Sequence, residues 1–132
     1  MGFEVNHDAA RGMVDVRYFD RVKVADRGAA MDRTLKILAA TNARRIAIDF
    51  NDAVTGSDLF QDTNAFATRV STNAVLRHCR IAFIGAQSNR FNVVVETLAE
   101  GRGYGFRRFF ERQPALDWLM QFAPGEPRQS AE

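Results

Sequence analysis

At 132 residues the chain is one domain's worth of polypeptide, and its 46% hydrophobic content with 11 Phe is enough to build a core and excludes a disordered chain. One cysteine, Cys79, excludes an intrachain disulfide, and two histidines with that cysteine exclude a zinc site of the usual composition. The net charge of +2, with the arginines scattered among 16 acids, argues against the concentrated basic face of a nucleic-acid binder, and no apolar run is long enough to span a bilayer.

The N-terminal stretch MGFEVNHDAARG is not a signal peptide, and cytoplasmic residence is the default. Residues 3–6 and 13–19 read as two strands of a hairpin, since Val14, Val16 and Tyr18 alternate with Asp15 and Arg17. Helical periodicity follows, with Val24, Gly28, Met31, Leu35 and Leu38 on one stripe, Asp26 in the first turn and Asn42 as terminator. Residues 45–50 (RIAIDF) predict a strand covered on both faces. The polar run NDAVTGSD predicts a turn, and Leu59, Thr63, Phe66 and Val70 predict a second helix capped by Ser57 or Asp58.

Residues 80–85 (RIAFIG) predict another buried strand, and Phe91, Val94, Val95 and Leu98 a third helix stopped at Gly101. Residues 106–110 read as the last strand. Gln113 and Pro114 open a fourth helix that turns Leu116, Leu119 and Met120 inward. Residues 1–123 thus form one α/β domain of order ββαβαβαβα, a mixed but mostly parallel sheet of about five strands with four helices. Residues 124–132 read as a disordered tail.

The two β-branched strands RIAIDF and RIAFIG, and above all the closing block FRRFFERQPALDWL, resemble the small bacterial SpoIIAA-like proteins grouped near the STAS domains. The likeness implies a SpoIIAA-like fold and a non-enzymatic regulatory or protein-interaction role of the anti-sigma-factor-antagonist kind. Its partner would be another protein, and no cofactor is implied; a homodimer is expected on the general ground that closed twofold assemblies are common. In that family a phosphorylated Ser follows an Asp at the start of the helix after the third strand. Here the matching stretch, DFNDAVTGSDLF, offers Thr55 and Ser57, but Ser57 precedes Asp58 rather than following an Asp.

Open α/β sheets bind ligands beyond the carboxyl ends of their strands. Asp49 and Asp52, with Thr55, Ser57 and Asp58, gather oxygen atoms there, suited to phosphorylation, partner contact, or a cation or anion. The same residue types also serve as ordinary caps and turns. GRGYG follows a helix and precedes a strand, the reverse of a dinucleotide loop. Arg102, Arg107, Arg108 and Arg112 read as a solvated basic surface, with an acidic partner or lipid head group as the alternative. His78 and Cys79, adjacent in sequence, point apart rather than forming a catalytic pair. Trp118, Phe109 and Phe110 offer core packing or, alternatively, an apolar surface or a pocket for a small apolar ligand or lipid.

Overall fold

A computed structural model describes residues 2–54, 69, 73–85 and 105–121. The hairpin consists of β1 (Phe3–Asp8) and β2 (Met13–Arg21), antiparallel, with Phe3 opposite Tyr18 and Asp8 opposite Met13. Gly12, at φ +58°, closes its turn with an N–H bond to the Ala9 carbonyl, and the Asp8 carboxylate accepts from Arg11.

Helix α1 (Val24–Ala40) begins where the Lys23 backbone N–H donates to the Asp26 carboxylate at 3.0 Å. It ends at Thr41 rather than at Asn42; the Thr41 hydroxyl donates to the Ile37 carbonyl and accepts the Ala43 N–H. The inward stripe is Arg27, Ala30, Met31, Thr34 and Leu38, all buried. Gly28 and Leu35, expected on that stripe, are only half-buried.

Strand β3 (Arg45–Val54) pairs in parallel with β2 and is four residues longer than RIAIDF. Residues 51–54, expected as a turn, continue the strand because they find partners: Asp52, Ala53 and Val54 lie opposite Phe19, Asp20 and Arg21. The register slips by one residue between Arg17–Asp49 and Phe19–Asp52, a bulge that bends the ladder at Phe50 and Asn51. A 3-10 turn (Leu76–His78) leads into β4 (Arg80–Ile84), and β5 (Gly105–Phe109) follows. Both run parallel to β3, giving the spatial order β1-β2-β3-β4-β5.

Helix α2 (Arg112–Met120) closes the described chain, with Pro114 inside its first turn, where its missing N–H costs no bond. The described residues therefore form an α/β fold on a mixed five-stranded sheet. The second and third expected helices and the tail from 124 lie outside them, except that Arg69 is helical.

The sheet separates two apolar layers. Val14, Val16, Tyr18, Ile46, Phe50, Ile81 and Phe83 pack with Ala30, Met31 and Leu38 of α1. On the other face Met13, Ala47, Ala82 and Ile84 pack with Ala115 and Leu119 of α2. Met120, expected inside, is 44% exposed, because Ala115 and Leu119 already fill the line facing the sheet.

Ala115 and Leu119, with Leu116 and Trp118 beside them, supply the apolar contact of this helix with the sheet. Charged groups of the sheet grip both of its ends. At the C-terminal end Arg45 Nε donates to the Leu119 carbonyl at 3.0 Å and Arg80 Nη1 to the Trp118 carbonyl at 3.1 Å. Arg80 also lies 4.6 Å over the Trp118 ring. These bonds add to the Gln121 backbone N–H, which also donates to the last-turn carbonyls, and they place positive charge at the negative end of the helix dipole.

Candidate functional site at the carboxyl end of the sheet

The candidate residues Asp49 and Asp52 lie on β3, one on each side of the bulge, and not in a loop. Both carboxylate oxygens of Asp49 already accept hydrogen bonds. Its Oδ1 accepts the Asn51 backbone N–H at 2.9 Å, and its Oδ2 accepts Arg112 Nη1 at 3.1 Å. The other end of the same guanidinium donates to Asp15 Oδ2 on β2.

Asp15 and Asp49 are each 14% exposed, and Arg17 Nε approaches Asp15 at 3.6 Å. Two carboxylates thus face two guanidinium groups at the first residue of α2, where negative charge suits the helix N-terminus. The remaining oxygen of Asp15, Oδ1, is buried and accepts no bond among the described residues.

This arrangement corrects the reading of Arg112 as part of a solvated basic surface: it is a tie between helix and sheet. Asn51 and Asp52 are exposed to solvent. Thr55, Ser57 and Asp58 lie outside the described residues. Among the described residues no cluster of three His, Cys, Asp or Glu side chains could hold a metal ion.

The three candidate aromatic residues divide into a pair and a single ring. Phe109 and Trp118 pack at 5.7 Å between ring centroids, with the Arg107 guanidinium 5.4 Å from the Phe109 ring. Phe110, just past β5, is 60% exposed. A cavity of about 140 Å³ is lined by Gly85, Arg108, Phe109 and Phe110 among the described residues. Gly85 borders this space at φ +145°, and a Cβ there would sit 3.1 Å from Phe50 Cβ, so the position needs glycine.

Cys79 and His78 diverge, the first buried and the second exposed. Burial pushes the Cys79 thiol up to about 12, against the opposing influence of Arg44, and its Sγ donates to the Val75 carbonyl at 3.5 Å. That is a packing role, not a nucleophile's.

Sequence reasoning missed Arg27, which is 2% exposed on α1. Its guanidinium lies 4.6 Å from the Phe50 ring and 5.7 Å from Tyr18, and those two rings stack at 4.8 Å. Burial raises the Tyr18 hydroxyl pKa, an effect that Arg27 moderates. The missed signal was periodic: residues 27, 30, 31, 34 and 38 form a better helical stripe than the one drawn through Val24 and Gly28.

No family model matches the chain, and no curated protein matches it. A solved structure does. It is an uncharacterized protein of the DUF3478 family with a SpoIIAA-like fold, from Shewanella loihica PV-4. The likeness has a TM-score of 0.57 at 16% sequence identity and covers 89% of this chain and 94% of that one. Antiparallel hairpin, parallel strands and flanking helices together with that likeness give the conclusion: the chain folds as a SpoIIAA-like domain.

Proposed function

We propose that this chain is a non-enzymatic regulatory or protein-interaction domain of the STAS-like kind, working in the cytoplasm. Its contact surface would be the carboxyl end of the sheet. The observation that carries this reading is the exposure of Phe110 at 60%, beside the cavity at Gly85 and at the same end of the sheet as the exposed Asn51 and Asp52. An exposed aromatic ring among polar groups is the usual anchor of a protein contact.

Two further facts support the non-enzymatic part. Asp49, a candidate acid, is engaged by Arg112, and the thiol of Cys79 is buried. The finer parts of the reading, four helices and a hydroxyl switch at Ser57 or Thr55, belong to the same proposal. A binding site for a small apolar ligand or lipid has less support, since Phe109 and Trp118 fill each other's space and the cavity is below the roughly 300 Å³ of ordinary ligand sites.

The test is a photo-crosslinking residue placed at position 52 or 110 in the cells from which the chain comes. A discrete adduct, with a second protein or with another copy of this chain, is expected. Irradiation that yields only the uncrosslinked chain at both positions overturns the reading.

A further inference from the structure

The β5 strand places two guanidinium groups on successive residues. Arg107 and Arg108 are both exposed and, by strand alternation, lie on opposite faces of the sheet. Among the described residues β5 is paired on one side only, with β4. Immediately downstream come the exposed Phe110 and the cavity bounded by Gly85, Arg108, Phe109 and Phe110.

An extended peptide laid along β5 would send alternate side chains to the two faces, so two consecutive acidic residues would meet Arg107 and Arg108. The next residue would lie beside the cavity, where a small apolar side chain fits. A second β5 is a poor occupant, because it would set arginine against arginine.

We propose that β5 is a docking edge for an acidic, extended protein segment, read as an acidic pair next to a small apolar residue. The inference rests on the interaction reading above and gives its partner a chemistry. Recognition by strand addition draws affinity from main-chain bonds and specificity from the alternating side chains. The paired arginines supply charge complementarity and a strong dependence on salt.

The experiment uses the full chain and a fluorescent peptide with two adjacent glutamates followed by valine in an extended sequence. Its controls are the same peptide with glutamines or with lysines. Anisotropy should show binding to the glutamate peptide that weakens about tenfold with glutamines and falls further as salt is raised. Arg107→Glu with Arg108→Glu should abolish it. Phe110→Ser should weaken it, and the distant Lys36→Glu should not; circular dichroism confirms that each variant is folded.

Equal binding of all three peptides, or binding indifferent to the double reversal, overturns the proposal. Self-association that depends on Arg107 and Arg108 would reassign the edge to a second copy and overturn it too. A cellular adduct at position 110 that survives the double reversal sinks the acidic-segment inference and leaves the interaction reading standing. Peptide binding as described, without any cellular adduct, does the opposite.

Discussion

Arg112 donates to Asp49 at 3.1 Å across 63 positions of chain, and its second nitrogen reaches Asp15, 97 positions away. One guanidinium therefore ties three elements together: β2, β3 and the first turn of α2. Each carboxylate is mostly shielded from water, so each relies on that cation.

Arg112→Gln should destabilise the domain by about 2 kcal/mol in urea unfolding. This lies between the 3–5 kcal/mol of a fully buried pair and the 0–1 kcal/mol of an exposed one, because Arg112 itself is 28% exposed. Adding Asp15→Asn to that variant should restore part of the loss by removing one of two facing negative charges. If the double variant is no more stable than the single one, the two carboxylates do not act through Arg112.

Stability should fall in alkaline solution. The Cys79 thiol is raised from 9.0 to about 12 in the folded chain, so the folded state keeps a proton that the unfolded state releases. The contribution is intact below pH 9 and is lost as pH climbs from 9 to about 12, at about 1.4 kcal/mol per pH unit. Tyr18, also raised by burial, adds to the loss above pH 10. Urea midpoints across this range should decline less steeply in Cys79→Ala than in the parent; parallel declines would show that the thiol titrates normally.

Gly85→Ala should lower the thermal midpoint by several degrees, corresponding to about 1–3 kcal/mol. The new methyl would meet Phe50 at 3.1 Å, and φ +145° is a region that side chains avoid. An unchanged midpoint would mean that the end of β4 shifts freely.

Arg27→Lys should cost about 1–2 kcal/mol although it conserves charge. An ammonium makes a weaker contact with the Phe50 and Tyr18 rings than a guanidinium at 4.6 and 5.7 Å, and it is more costly to remove from water. Arg27→Met, which fills the space and carries no charge to bury, should be the less damaging change if the cost of desolvating the ammonium dominates. Chemical denaturation of both variants decides the order.

Strand content was legible because RIAIDF and RIAFIG are continuous apolar runs with β-branched residues, and the hairpin because Val14, Val16 and Tyr18 alternate. The end of β3 was not. Asn51 and Asp52 have the composition of a turn, and only their pairing with Phe19 and its neighbours across a bulge keeps them in the sheet. Arg112 was illegible for the same reason: nothing local distinguishes an arginine in water from one whose partners lie 63 and 97 positions upstream. Arg27 went unseen because a charged residue at the head of an apolar stripe reads as its boundary, while two aromatic rings on distant strands make it part of the interior. Of the candidate aromatic trio, Phe109 and Trp118 could be told from Phe110 only once β5 was seen to end at Phe109.

The grip on α2 also makes the helix dependent on the sheet. Asp15, Arg45, Asp49 and Arg80, which hold its two ends, all precede it in the chain, and a nine-residue helix does not persist alone in water. The helix therefore needs the paired strands to hold its ends. A chain truncated before Arg112 would lose the Ala115 and Leu119 cover over Met13, Ala47, Ala82 and Ile84 and should be more prone to aggregate than the full chain.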